Sequence, residues 1–321
     1  MIAESFKHAS NFTKFIFILF SILLGFTLSM LIGFVVAIPL FGLNISDLSG
    51  SLDAKNPENI PALKFLQAVY SVGLFVFPPI MVAFFLNGKI GEYLKINKMP
   101  LLFSVVFVSL IMVFSLPIIN FMMKLNESLS FPASLNGLEN ELKSLEKEAQ
   151  VLSESFLEAS SFSIYLANII VMAIIPAFGE EFLFRGVFQQ LFKDWTRNIH
   201  IAIWLTALLF SAMHMQFYGF IPRMILGAFL GYLFYWSGNL WLPIIAHFVN
   251  NSIAVTAFYV NNEIAKKAET VGTNNGISPE LIISLLVVSV LIYSIIKIEK
   301  EKRIKSAHFE AENRQEYENE I

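Results

Sequence analysis

The chain has 321 residues, 56% of them hydrophobic and only 15% charged, with a formal net charge of −3, no Cys and 33 Phe. Soluble chains average roughly 45–50% apolar and about 25% charged residues, so this composition belongs to a bilayer protein rather than a soluble enzyme. The charge balance offers no basic face to a nucleic acid, and a chain without Cys has no disulfide, thiolate metal site or cysteine nucleophile.

A spanning helix needs about 20 mostly apolar residues to cross a roughly 30 Å hydrocarbon core. The first uncharged run, Phe15 to Leu43, follows Lys7 and Lys14 as a signal peptide would. It is far longer than the apolar core of a signal peptide, about 7–15 residues, so a retained helix is expected. Further runs lie at Phe65–Gly88, Pro100–Met123, Phe162–Gly179, Ile199–Met213, Met224–Leu242, Pro243–Val260 and Leu281–Ile296. Together they predict an all-α, polytopic transmembrane bundle of about eight spans. Pro78, Pro79, Pro117 and Pro176 should kink the helices that contain them.

Two segments stand apart from these runs. The polar insertion 124–161 carries Leu138, Leu142, Leu145 and Leu152 at near-helical spacing, which predicts an amphipathic helix over Leu138–Leu157, on or above the membrane domain. A plain spacer and a substrate lid both fit it. Beyond Ile298 the tail 299–321 is charged and polar, and disorder is the expectation. The remainder, 1–298, reads as a single transmembrane domain.

Basic residues cluster in Lys89–Lys98, in the segment with Arg185, Lys193 and Arg197, and in the tail from Lys297 to Lys305. The Ser46–Lys64 loop instead sets Asp47, Asp53 and Glu58 against Lys55 and Lys64. With eight spans the basic segments share one side, the pattern of a cell-membrane protein with both termini cytoplasmic.

A charge at the centre of a spanning helix costs about 2.5–3.5 kcal/mol on insertion scales, so ionisable groups at that depth are the informative ones. They are Glu180, Glu181, Arg185, His214, Arg223 and His247, accompanied by Asn250 and Asn251. On an ideal helix Glu181 and Arg185 lie one turn apart in the favourable order. Glu180 projects about 100° away from Glu181 and is free of that pair. His247 and Asn251 likewise share a face. One carboxylate, two imidazoles and a carboxamide could converge, expected at the cytoplasmic end of the fourth span. Such a set could activate a water and hold an oxyanion, or bind zinc through Glu180, His214 and His247. The chain lacks H-E-x-x-H, the G-x-S-G of serine-type intramembrane proteases and paired G-x-G-D aspartates.

E-E-x-x-x-R at Glu180, Glu181 and Arg185, F-x-x-x-H at Phe210 and His214, and H-x-x-x-N at His247 and Asn251 together resemble the CPBP intramembrane proteases. This is the family of CAAX-prenyl endopeptidases and bacteriocin-processing or immunity proteins, also called the Abi family. The likeness runs from about Ile164 to Tyr259, including Gly227 to His247, within a core of 162–260. It implies a helical bundle with a cavity open to membrane and cytoplasm. Glu180 and His214 would position and deprotonate a water, His247 and Asn251 would hold the oxyanion, and Glu181 with Arg185 would brace the site. The implied partners are membrane lipids and a prenylated, lipidated or otherwise hydrophobic peptide or protein.

The family is described with both glutamate and zinc mechanisms. The glutamate form suits these residues better, because a carboxamide is a poor zinc ligand and a good oxyanion donor. A non-enzymatic immunity or scaffold protein of the same fold is the second reading. A proton-coupled transporter is the third, without an inverted-repeat signature to support it. Gly227-x-x-x-Gly231 reads as helix packing against the fourth or seventh span and not as a dimer signal. Arg223 reads as a residue snorkelling to the outer interface, with a substrate carboxyl terminus as the remoter alternative.

Overall fold

The computed structural model describes residues 4–129, 132–260 and 278–319. Residues 130–131 of the insertion and the last two residues of the tail lie outside them. The described residues contain no strand and form an all-α bundle. Its long helices are α1 (Asn11–Phe41), α2 (Pro57–Asn87), α3 (Leu102–Phe114), α4 (Leu116–Glu127), α5 (Asn136–Leu157), α6 (Phe162–Thr196), α7 (Ile199–Ala212), α8 (Phe220–Ser237), α9 (Trp241–Val260) and α10 (Pro279–Asn319).

Every apolar run of the sequence is helical, but not every one is a full span. Five helices, α1, α2, α6, α9 and the 279–306 part of α10, are long and apolar enough to cross a membrane. A sixth forms if α3 and α4, bent by 44° where Pro117 enters the chain, count together. At about 1.5 Å per residue α7 reaches only about 21 Å, short of the hydrocarbon thickness. The 18-residue α8 carries Pro222 and Arg223 in its first turn. The eight runs therefore correspond to five or six candidate spans among the described residues.

Proline shapes two of the longest helices without breaking them. Proline has no N–H and its ring crowds the carbonyl four residues back. The chain widens into a π-turn just ahead of each site, at Val72–Val76 before Pro78 and at Ile169–Ile174 before Pro176. A third π-turn, Phe184–Phe188, contains Arg185.

The sequence ends the fourth span at Gly179 because Glu180 is charged; the structure instead carries α6 on to Thr196. Glu180 thus sits near the middle of a 35-residue helix. Arg185, expected in a basic loop, is completely buried.

The remaining basic segments do gather at one end of the bundle. The Leu240 N–H donates to the Lys95 carbonyl (3.1 Å), Asn239 Nδ2 to the Lys98 carbonyl (2.6 Å), and Arg303 to the Tyr235 and Trp236 carbonyls. The insertion packs at the opposite end, where Asn168 Nδ2 donates to the Leu157 carbonyl (3.1 Å) and the Tyr218 N–H to Glu146 (3.0 Å). Within α5 the predicted amphipathic pattern is only partly used: Phe156 is buried, whereas Leu138 and Leu145 are exposed. The expected loss of order after Ile298 does not occur at the backbone, which stays helical to Asn319. Glu299 is buried there and accepts a hydrogen bond from Ser104 of α3 (2.6 Å).

Gly227 and Gly231 of α8 pack against α7 and the end of α6, not against α9. A Cβ on Gly227 would stand 3.2 Å from the Ala207 Cα, and one on Gly231 would stand 2.8 Å from Gln189 Oε1. The closeness also exposes two carbonyls as acceptors: Gly227 O receives Arg185 Nη2 (2.8 Å) and Gly231 O receives Gln189 Nε2 (3.1 Å). Replacing Gly227 by Val should overpack this contact and cost about 1–3 kcal/mol. Thermal unfolding in detergent should show a lowered midpoint for Gly227→Val and a smaller loss for Gly227→Ala.

Candidate active site

The site is built around the middle of α6. Gly179 brings this part of the helix against α2, since a Cβ there would lie 2.7 Å from the Phe75 Cβ. The next two residues face different ways, as the ideal helix requires. Glu181 turns into the protein and is fully buried, and its Oε1 accepts from Arg185 Nη1 (2.7 Å) and from His247 Nδ1 (2.9 Å). Arg185 is equally buried; its second Nη donates to the Gly227 carbonyl, and its guanidinium stacks over the Phe210 ring (4.8 Å). The pair predicted at one helical turn is therefore the hub for side chains from α7 and α9 and a backbone carbonyl of α8.

The hydrogen bonds fix both imidazoles. A carboxylate only accepts, so His247 Nδ1 carries its proton toward Glu181 and turns Nε2 the other way. That Nε2 stands 3.8 Å from Glu180 Oε2. His214, in the turn after α7, places Nδ1 2.9 Å from the Phe210 carbonyl. A carbonyl also only accepts, which makes Nε2 the unprotonated nitrogen of the neutral ring. The F-x-x-x-H spacing thus acquires a structural meaning: Phe210 orients His214 with its carbonyl and supports Arg185 with its ring. Asn251 accepts at Oδ1 from Asn250 Nδ2 (3.2 Å), which leaves its own amide N–H groups uncommitted among the described residues.

Glu180, His214, Arg223, His247, Asn250 and Asn251 all line one cavity of about 290 Å³. Glu181 and Arg185 lie behind its wall. The two histidines are not both buried as the sequence suggests: His247 is, while His214 is exposed at the rim. Leu152, Ser153 and Phe156 of α5 also line the cavity. The insertion therefore reaches the site, and the cavity lies on the insertion side of the bundle rather than the end that carries the basic segments. This corrects the expected location, because the charges that seemed to end the span are paired inside a helix that continues. Arg223 lines the cavity, with one Nη donating to Gln216 and the other buried without a hydrogen-bond partner among the described residues.

Sequence reasoning missed the Glu181–His247 hydrogen bond, the reach of α5 and the contribution of Gln67 to the cavity wall. The alternative zinc set of Glu180, His214 and His247 does not assemble, since no group of three such ligands comes together among the described residues. The donors so placed do not fit a zinc site.

Residues 162–253 match the family described as Rce1-like, type II CAAX prenyl endopeptidase. The match bears out the resemblance read from the three motifs: this segment is similar to the type II CAAX prenyl endopeptidases. One relative, Uncharacterized protein YpbD of Bacillus subtilis (strain 168), is 34% identical over 92 residues. That stretch is 27% of this chain and 44% of YpbD, so the chain matches less than half of its relative's length. No solved structure matches the chain.

Removing one member of a buried ion pair strands the other, which typically costs about 3–5 kcal/mol. Glu181→Ala should lower the thermal midpoint sharply, and Glu181→Gln less, because the amide oxygen still accepts one hydrogen bond. Differential scanning calorimetry of the purified variants in detergent checks the order.

Proposed function

We propose that the chain is an intramembrane endopeptidase that hydrolyses a peptide bond of a membrane-associated or lipidated peptide with a water activated by Glu180. The observation that carries this reading is the convergence of Glu180, His214, His247 and Asn251 on one cavity inside a helical membrane domain. The proposed role of His247 requires a proton on Nε2 as well as the one that Nδ1 directs at Glu181. The carboxylates on either side of the ring, Glu181 at Nδ1 and Glu180 3.8 Å from Nε2, support it.

The chemistry then follows from the positions. The gap of 3.8 Å between Glu180 Oε2 and His247 Nε2 is too long for a direct hydrogen bond. It is a span that a small bridging molecule can fill. A water between Glu180 and the free Nε2 of His214 gives up a proton to Glu180 as its oxygen attacks the scissile carbonyl carbon. The carbonyl oxygen becomes an oxyanion, held by the Asn251 amide and the His247 Nε2–H, donors that gain strength in a water-poor cavity. When the C–N bond breaks, Glu180 returns the proton to the departing amine, leaving a carboxylic acid and an amine.

General-base removal typically costs about 10²–10⁴ in rate, and loss of an oxyanion donor about 10²–10³. Glu180→Gln should therefore abolish measurable cleavage of a labelled hydrophobic peptide in nanodiscs, and Asn251→Ala should slow it by about 10²-fold or more. Both variants should melt near the parent temperature. Cleavage that survives Glu180→Gln and His247→Ala together would refute the endopeptidase and favour the non-enzymatic reading. Activity retained after chelation and metal analysis would agree with the glutamate mechanism, whereas activity that needs about one zinc per chain would overturn it.

A further inference from the structure

The end of the bundle opposite the hydrolytic cavity holds a second recess of about 470 Å³, where the loop before α3 meets the ends of α6 and α8 and the later part of α10. Charge is uneven in its walls. Among the described residues that line it, Lys95, Lys98, Lys193, Lys302 and Arg303 stand against the single carboxylate of Asp194. Two of these cations are already engaged. Lys302 pairs with Glu299 (3.4 Å), and Arg303 donates to the carbonyls of Tyr235 and Trp236 near the end of α8. The side-chain nitrogens of Lys95, Lys98 and Lys193 have no hydrogen bond and no carboxylate within 4 Å among the described residues.

Basic residues gather at one end of a membrane protein for reasons of topology alone, so what matters is how this cluster is built. Lys95 is its fixed part. Its backbone takes a left-handed φ of 56°, uncommon for a residue with a Cβ. Its carbonyl receives the Leu240 N–H (3.1 Å), which pins the loop to the start of α9. The Lys95 ammonium is partly buried and stands 5.1 Å from the centre of the Phe234 ring. Burial, together with the neighbouring cations Lys193 and Arg303, holds its pKa below the usual lysine value. Like charges brought together in a recess repel one another, and a bound anion relieves that repulsion. Phosphate suits such a set, because its several oxygens accept from separate ammonium groups.

The surroundings of the recess are apolar. Trp195 follows Asp194 on α6 and is exposed, as is Tyr235 in the wall itself. Met99, Leu102 and Phe103, just beyond Lys98, and Ile201, just beyond Ile199, are exposed too. Exposed Trp and Tyr belong at the headgroup level of a bilayer. A free phosphate ester makes no use of such a rim, whereas a molecule with a charged phosphate and apolar tails uses both parts. We propose that this recess binds the phosphate of an anionic phospholipid, with Lys95 and Lys193 as its principal partners and the acyl chains against the exposed apolar side chains of α3 and α7. A lipid so held joins the loop before α3 to α10 and to α6, the helix that carries Glu180 and Glu181. The site stands apart from the endopeptidase reading, since it shares no residue with the cavity at Glu180.

The test uses the full chain in a neutral detergent, titrated with dioleoyl phosphatidylglycerol or dioleoyl phosphatidylcholine, with bound lipids counted by native mass spectrometry. The first phosphatidylglycerol should bind about 10-fold more tightly than the first phosphatidylcholine, and it should raise the thermal midpoint. The double variant Lys95→Gln with Lys193→Gln should bring that ratio to about one. Lys95→Arg with Lys193→Arg, which keeps both charges, should retain most of it. Lys300→Gln with Lys305→Gln removes two exposed cations from the same end that do not line the recess, and should leave the ratio nearly intact. Thermal melts without added lipid confirm that each variant is folded. No preference for phosphatidylglycerol, or an equal loss in the two Gln pairs, which is the mark of diffuse charge, would overturn the proposal. So would soluble glycerol phosphate binding as tightly as the lipid in isothermal titration calorimetry, because the ligand would then be the free ester.

Discussion

A buried carboxylate with two strong donors, Glu181 between Arg185 and His247, is the contact on which this membrane domain turns. In an apolar interior each of these groups alone would be prohibitively costly, and together they are nearly neutral and hydrogen-bonded. Because Glu181 lies on α6, His247 on α9 and Arg185 reaches the Gly227 carbonyl on α8, the same few atoms fix the relative placement of three helices. Phe210 of α7 completes the enclosure by covering the guanidinium with its ring. The π-turn at Phe184–Phe188 carries Arg185 within this set.

The hub separates bracing from chemistry. Glu181 takes one Nη of Arg185 and the Nδ1 edge of His247, while the adjacent carboxylate, Glu180, keeps an oxygen without a hydrogen bond among the described residues. The same logic runs through the second histidine, whose Nδ1 is tied to a backbone carbonyl one turn earlier. In both rings one nitrogen is committed to structure, and the other is left to face the cavity. Close packing of α8 on α7 supports the arrangement, since the glycines that permit it also present the carbonyls that Arg185 and Gln189 need.

Much of the site was legible in the sequence because charge is scarce at membrane depth. Glu180, Glu181, Arg185, His247 and Asn251 could be singled out by cost alone, and helical spacing paired Glu181 with Arg185 before any coordinates. The motif order gave the resemblance to CAAX-type endopeptidases, which the match over residues 162–253 bears out. Hydropathy was less reliable at the ends of helices. A sliding reading of apolar runs treats every charge as a boundary, so it cut α6 at Gly179 and put Arg185 in a loop. Once the charges neutralise one another, the helix has no reason to stop, and α6 continues to Thr196. The same blindness counted α7 and α8 as full spans, and left the tail disordered where Glu299 is buried against Ser104.

Composition and periodicity by themselves determined that this is an all-α membrane protein and which handful of polar residues it holds at depth. Both follow from the cost of placing polar groups in hydrocarbon, which is a local property of the chain. Only the tertiary structure decided that Glu181 orients His247, that α5 reaches the cavity, and that Arg223 lines it. Those are contacts between helices distant in sequence, made by side-chain direction and close approach, and no spacing along one chain encodes them.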